Sequence, residues 1–91
     1  MKAIRDEIDR VDREMAGLFE KRMDLVYQVA EYKFKNNGEI FDPEREKAVI
    51  EKNTKFIRNE SYQKLYQEFL HMIMDQSKEV QCKYIKKQLE K

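Results

Sequence analysis

The sequence predicts an all-α protein with one long, one short and one medium helix. Only two glycines and one proline occur in 91 residues, and Glu, Lys, Gln, Met and Leu, which favour helices, are used heavily. Apolar residues recur at alternating steps of three and four, the spacing of one helix face. At this length we expect a single domain over residues 1–91.

The first helix is expected to run to about Lys35 and to end at Asn36-Asn37-Gly38, because Asn and Gly tolerate the left-handed conformation that closes helices. Its apolar stripe consists of Ile4, Ile8, Val11, Met15, Leu18, Leu25, Val29 and Tyr32. A helix of this length would extend about 50 Å, which is too long for two shorter helices to cover. We therefore expect a homodimer with twofold symmetry that covers the stripe.

Asp42-Pro43 marks the start of the second helix, because Asp caps free amides and Pro suits the first helical position. This helix is expected to end near Ile57, with Val49, Ile50, Phe56 and Ile57 facing inward. The third helix is expected from about Tyr62 to Leu89, with Ser61 as its cap. Its inner stripe would comprise Tyr66, Leu70, Ile73, Val80 and Tyr84.

Charge and cysteine content argue against several classes of protein. The 19 Lys and Arg residues nearly balance 18 Asp and Glu residues, so no net field would attract nucleic acid or anionic lipid. Cys82 and His71 are the only cysteine and histidine, too few for a disulfide framework or a Cys/His zinc site. With a charged N-terminus and no long apolar run, we expect a cytoplasmic protein.

Two cations of the first helix occupy unexpected positions. Arg22 interrupts the apolar seam between Leu18 and Leu25, and a buried charge without a partner is costly. Lys33 follows eleven residues later, which places it on the same face about 16 Å away. Arg5 lies about 25 Å from Arg22 and about 100° round the helix. Arg5 could therefore reach the same pocket only from the second subunit of an antiparallel dimer.

Polar residues on the other two helices suggest the remaining walls of a pocket. Asp42, Arg45 and Glu46 project from one side of the second helix's first turn, since they are three and four residues apart. Ser77 and Gln81 are one turn apart on the inner stripe of the third helix. Ligand sites inside helical bundles are built from such inward-facing groups. Taken singly, Arg22 could instead set a coiled-coil register, and Asp42 could be only a cap.

In their sequence contexts these residues resemble the active-site set of the small, all-helical chorismate mutases. The contexts are Ile-Arg-Asp-Glu-Ile-Asp around Arg5, Glu-Lys-Arg-Met-Asp-Leu-Val around Arg22, Val-Ala-Glu-Tyr-Lys at Lys33, Asp-Pro-Glu-Arg-Glu from Asp42 and Asp-Gln-Ser-Lys-Glu-Val-Gln around Ser77. The resemblance spans nearly the whole chain. It implies an intertwined six-helix homodimer with two pockets, each completed by Arg5 of the other subunit.

The resemblance also implies an isomerase that rearranges chorismate, a dicarboxylate, to prephenate in aromatic amino acid biosynthesis by the shikimate pathway. Arg22 and Arg5 would bind the two carboxylates, assisted by Ser77 and Arg45. Asp42 and Glu46 would contact the ring hydroxyl, and Lys33 and Gln81 would donate to the ether oxygen. The catalytic group would thus comprise Lys33, Gln81, Glu46 and Arg22, and the reaction would need no metal or cofactor.

Two other functions fit parts of the pattern. A related lyase that releases pyruvate from isochorismate could use the same fold and anion-binding groups. A helical dimerisation or regulatory module without catalysis would explain the long amphipathic helix but not Arg22, Lys33, Ser77 and Gln81. Product analysis separates the two enzymes, and a test of dicarboxylate binding separates both from the module.

Overall fold

The computed structural model describes residues 1–91 and contains three helices: α1 (Lys2–Lys35), α2 (Pro43–Thr54) and α3 (Glu60–Leu89). The all-α prediction of one long, one short and one medium helix is confirmed. Asn37 has a φ of 56°, so it is this asparagine, and not Gly38, that adopts the left-handed conformation just after α1. None of the helices is long and apolar enough to cross a membrane.

The second helix ends earlier than predicted, at Thr54 instead of Ile57. The Asn53 and Thr54 side chains donate hydrogen bonds back to the carbonyl oxygens of Val49 and Ile50, at 2.8 Å and 2.6 Å. The backbone amides of Phe56 and Ile57 bond three residues back, to the carbonyl oxygens of Asn53 and Thr54, so the chain leaves the helix in a tighter turn. Phe56 then lies outside the helix and is exposed, which makes its predicted inward orientation wrong.

The third helix begins slightly before the predicted boundary, at Glu60. The Asn59 side chain accepts a hydrogen bond from the backbone amide of Ser61 at 3.0 Å. Asn59 is therefore the cap, and the prediction that Ser61 plays this role was wrong. The Ser61 hydroxyl instead donates to the same Asn59 oxygen at 2.6 Å, which reinforces the cap.

Helix α3 packs against both of the other helices, whereas the backbones of α1 and α2 do not approach each other. The buried apolar cluster between α2 and α3 consists of Ile50, Leu70 and Met74. At the far end of α3, the ring of Tyr84 meets Tyr27 of α1 edge-on, with centroids 4.9 Å apart. The gap left between α1 and α2 is the feature that positions the site described below.

The first half of α1 is not covered by the rest of the chain. Every residue from Met1 to Lys21 is exposed, and the predicted apolar stripe stays between 44% (Val29) and 69% (Tyr32) exposed along its whole length. The chain is correspondingly elongated, with extents of 52 × 27 × 14 Å. An amphipathic helix of this kind keeps its apolar face in water unless another surface covers it.

Candidate active site

A cleft of about 410 Å³ lies between α1 and α2, with α3 as its floor. Small-molecule sites commonly have volumes of this order. Seven of the eight predicted site residues line it: Arg22, Lys33, Asp42, Arg45, Glu46, Ser77 and Gln81. Its apolar lining consists of Val26, Val29, Ile40, Val49 and Met74. The structure therefore brings polar groups from all three helices to one open cleft.

Arg22 is held on α3 through Ser77. Its Nη1 donates to the Ser77 hydroxyl oxygen at 2.5 Å, and the same hydroxyl donates to the carbonyl oxygen of Ile73 at 2.7 Å. Nη2 lies 3.9 Å from the Met74 sulfur. Burial lowers the pKa of the Arg22 guanidinium, because leaving water disfavours the charged form. No carboxylate pairs with Arg22, so this partly buried cation lacks an anionic partner within the chain.

Gln81 lies one turn beyond Ser77 on the cleft floor and is only 7% exposed. Its Nε2 donates a long hydrogen bond of 3.4 Å to the Ser77 carbonyl oxygen. Its buried Oε1 has no partner in the protein. Buried amides normally satisfy their polar atoms, and the two ends of an amide can exchange places by rotation. Gln81 can therefore offer the cleft either a donor or an acceptor that the protein itself leaves unused.

The first turn of α2 supplies three charged residues to the opposite wall. The Asp42 carboxylate accepts a hydrogen bond from the Arg45 backbone amide at 3.0 Å, so Asp42 caps the helix as well as lining the cleft. Asp42 can thus cap α2, as considered from the sequence, and also line the cleft. Arg45 is exposed at the cleft edge, and Glu46 is half-buried.

One charged residue of the cleft, Lys78, was missed by the sequence reasoning. Its ammonium lies 3.1 Å from Oε1 of Glu46 on α2. Hydrogen bonding to Glu46 raises the pKa of Lys78, with a smaller contribution from Asp75, while partial burial opposes the shift. A signal was present in the sequence, because Lys78 precedes Gln81 by three residues and therefore shares its face of α3.

The cleft carries an excess of positive charge. Four cations line it, namely Arg22, Lys33, Arg45 and Lys78, against the two carboxylates of Asp42 and Glu46. Two formal positive charges are therefore in excess. Cations focused in a cleft with apolar walls attract anions and retain them. The arrangement suits a small molecule with two negative charges and a few hydrogen-bonding oxygens.

Arg5 is the predicted site residue that does not join the others. It lies in the first turns of α1, is exposed, and does not line the cleft of its own chain. This placement agrees with the expectation that Arg5 cannot serve the pocket of its own subunit. As for metal ions, no group of three or more His, Cys, Asp or Glu side chains is arranged to hold one.

Comparison with known families places this geometry in context. Residues 4–82 match the family model described as chorismate mutase type II. The chain belongs to the chorismate mutase type II family. The matched range includes all eight predicted site residues, Arg5 and Gln81 being the outermost. The family resemblance stated from the sequence motifs is confirmed.

Several curated proteins resemble this family member over part of their length. A bifunctional chorismate mutase/prephenate dehydratase of Buchnera aphidicola subsp. Acyrthosiphon pisum is 34% identical over 88 residues, covering 91% of this chain and 22% of the relative. A protein of the same description from Aquifex aeolicus is 29% identical over 93 residues, covering 93% of this chain and 26% of the relative. A T-protein of Haemophilus influenzae is 45% identical over 51 residues, 56% of this chain and 14% of the relative. The chain thus spans at most about a quarter of these relatives. No solved structure matches it.

Proposed function

We propose that the cleft converts chorismate to prephenate. The observation that carries this proposal is that seven side chains, selected from their sequence contexts, meet in one cleft, which together with Lys78 has an excess of two positive charges. Chorismate is a dicarboxylate with a ring hydroxyl and an ether oxygen, so its charge matches that excess. Membership of the chorismate mutase type II family supports the same activity.

The proposed reaction asks little of the protein beyond binding and electrostatics. In this rearrangement a C–O bond breaks while a C–C bond forms, so no nucleophile, metal or proton transfer is required. Arg22 would bind one substrate carboxylate, with Ser77 and Arg45 assisting. Folding the flexible substrate into a chair between α1 and α2 provides proximity and orientation. The buried floor of the cleft, formed by Met74, Ser77 and Gln81, would hold fixed polar groups against the substrate, and such preorganised groups stabilise charge in the transition state.

Two donors would act on the breaking bond. Lys33 and Gln81 line the same cleft, and we assign them to the ether oxygen, where negative charge develops as the C–O bond lengthens. Donors that interact more strongly with the transition state than with the substrate accelerate the reaction. Lys33 would contribute a charge-assisted hydrogen bond, and Gln81 would donate from Nε2, whose bond to the Ser77 carbonyl oxygen is long at 3.4 Å. Asp42 and Glu46 would hold the ring hydroxyl.

We further propose that the functional unit is an intertwined six-helix homodimer in which Arg5 of each chain completes the other chain's site. The exposed stripe of α1 supports an antiparallel partner. A groove of about 790 Å³ runs beside it, lined by apolar residues of α1 such as Leu18 and Phe19 and by Phe69 of α3. A second copy of α1 fits this surface and brings a further cation to the substrate. We place this biosynthetic enzyme in the cytoplasm.

The direct test follows the loss of chorismate absorbance with purified protein and with Lys33→Ala. We expect turnover with the wild type and a loss of about 100-fold or more in kcat for the variant, the effect of removing one preorganised donor. Products are identified with chorismate and with isochorismate supplied separately. Pyruvate release from isochorismate without prephenate formation would make the protein the related lyase. Binding of neither dicarboxylate would favour a dimerisation module.

A further inference from the structure

Lys78 occupies a fixed position between α2 and α3. Its Nζ lies 3.1 Å from Oε1 and 3.5 Å from Oε2 of Glu46, and 3.4 Å from Oδ1 of Asp75. The ammonium also lies 5.5 Å from the centroid of the Phe41 ring, in the segment that leads into α2. The Lys78 side chain is 22% exposed. Glu46, Asp75 and Phe41 thus define the position of this ammonium. Of the three, Glu46 is also predicted to contact the substrate.

The two carboxylate partners of Lys78 are not equivalent. Asp75 lies on the same helix, three residues away, with a side chain that is 77% exposed, and exposed pairs of this kind contribute little. Glu46 lies on another helix and is 27% exposed. The Glu46 pair therefore joins α2 to α3 in a partly dry environment, where screening by water is weaker. Lys78 is charged at neutral pH like any lysine, and hydrogen bonding to Glu46 raises its pKa further.

Glu46 needs such a partner because of its surroundings. The cleft that it lines also contains Arg22, Lys33 and Arg45, and a carboxylate in this space is attracted toward those cations. If Glu46 turned to one of them, it would neutralise a charge that the substrate carboxylates need, and Asp42 alone would remain to accept a hydrogen bond from the ring hydroxyl. Both Glu46 oxygens instead lie near Lys78 at the α2–α3 junction.

We propose that Lys78 is a positioning residue, which holds the Glu46 carboxylate at the α2–α3 junction. There the carboxylate can accept a hydrogen bond from the substrate hydroxyl, and it does not pair with the cations that bind the substrate carboxylates. This inference rests on the proposed function, since it assigns a role in binding that substrate. Lys78 acts through Glu46, and it need not touch the substrate itself.

The test is a double-mutant cycle with Lys78→Met and Glu46→Gln. Met keeps much of the length of the lysine stem without the charge. We expect Lys78→Met to lower kcat/KM about tenfold, a coupling typical of neighbouring charged groups. In the Glu46→Gln background the same change should cost less than about twofold, because the carboxylate that Lys78 positions is then absent. Lys78→Arg, which keeps the charge, should recover most of the loss.

Lys83→Met is the matched control. Lys83 also pairs with a glutamate, Glu79, at 3.1 Å, but both side chains are largely exposed and neither lines the cleft. This variant should keep wild-type kinetics. Equal kinetics for Lys78→Met and Lys83→Met would overturn the inference. So would a tenfold loss that persists in the Glu46→Gln background, because Lys78 would then act on the substrate directly.

A second measurement does not depend on catalysis. NMR titration of the Lys78 ammonium should give a pKa above the ordinary lysine value in the wild type and a lower one in Glu46→Gln. Identical values would show that the ion pair does not form in solution, and the positioning role would fall whatever the enzyme's activity. A wild-type protein inactive on chorismate refutes the proposed function instead, so the two failures are distinguishable.

Discussion

Replacing Arg22 by Leu tests whether this residue serves substrate binding or the stability of the fold. Arg22 interrupts an apolar seam, is partly buried and has no carboxylate partner in the chain. Leucine would continue the seam between Leu18 and Leu25. Ser77 would lose the Arg22 donor but keep its own hydrogen bond to the Ile73 carbonyl at 2.7 Å, so its hydroxyl would not be left without a partner. The structural cost of the substitution is therefore small.

The expected loss of catalysis is much larger than any change in stability. Truncating one member of a buried charge pair costs about 2–5 kcal/mol, which corresponds to about 30-fold to several-thousand-fold in kcat/KM at 1.36 kcal/mol per factor of ten. We expect the loss for Arg22→Leu to fall in this range. Because the site is only partly buried, relief of Arg22 desolvation should stabilise the fold by at most about 1 kcal/mol. That corresponds to a rise in Tm of at most about 4–8 °C.

The assay pairs chorismate turnover with thermal melts monitored by far-ultraviolet circular dichroism. Arg13→Leu is the control, because Arg13 is an exposed arginine on the same helix and does not line the cleft. It should leave turnover unchanged. A fall in Tm of several degrees for Arg22→Leu, together with the loss of activity, would mean that Arg22 mainly stabilises the fold and would refute the reasoning.

Three further predictions concern other parts of the chain. Gln81→Glu should lose activity steeply as pH rises from about 6 to 8, because a buried carboxyl must be protonated to donate a hydrogen bond. The activity of the wild type should vary little over this range. A flat pH–rate profile for the variant would contradict the prediction. The Arg5→Ala and Lys33→Ala variants should each be inactive alone, but an equal mixture should regain about a quarter of wild-type activity after subunit exchange. Half of the dimers would then be mixed, and each mixed dimer would carry one intact site of two. No recovery after verified exchange would argue against a shared site. Burial, with smaller effects from Glu31 and Tyr27, raises the pKa of Tyr84, so its contribution to stability is present below about pH 10 and is lost as pH rises through the folded-state value. Alkaline melts of Tyr84→Phe should therefore show a weaker decline than the wild type.

The helices could be predicted because their signals are local. The three-and-four spacing predicted α1, Asn36-Asn37-Gly38 predicted its end, and Asp42-Pro43 predicted the start of α2. The end of α2 was harder, since Asn53 and Thr54 are compatible with helix, and the switch to three-residue backbone bonding at Phe56 and Ile57 follows no glycine or proline. The cap of α3 was misplaced by two residues for a similar reason, because Asn59 and Ser61 are both good capping residues.

Site residues could be predicted where a polar side chain occupies a position that the helical spacing assigns to an apolar one. Arg22 and Gln81 stand out because they occupy apolar positions on their helices. Lys78 does not stand out in the same way, because lysine is common on helix surfaces. Its significance depends on the distance between α2 and α3, which no short-range pattern encodes. Arg5 lies outside the cleft of its own chain, and its partner contact stays a prediction.

The separation of α1 from α2 has a consequence for how a ligand enters. Helix α2 packs against α3 and not against α1, so movement of α2 could widen the cleft without disturbing the α1–α3 packing. A bound dianion would contact both Arg22 of α1 and Arg45 of α2. It would therefore link two helices that do not pack against each other. Amide hydrogen exchange in α2 should then slow with occupancy far more than exchange in α3.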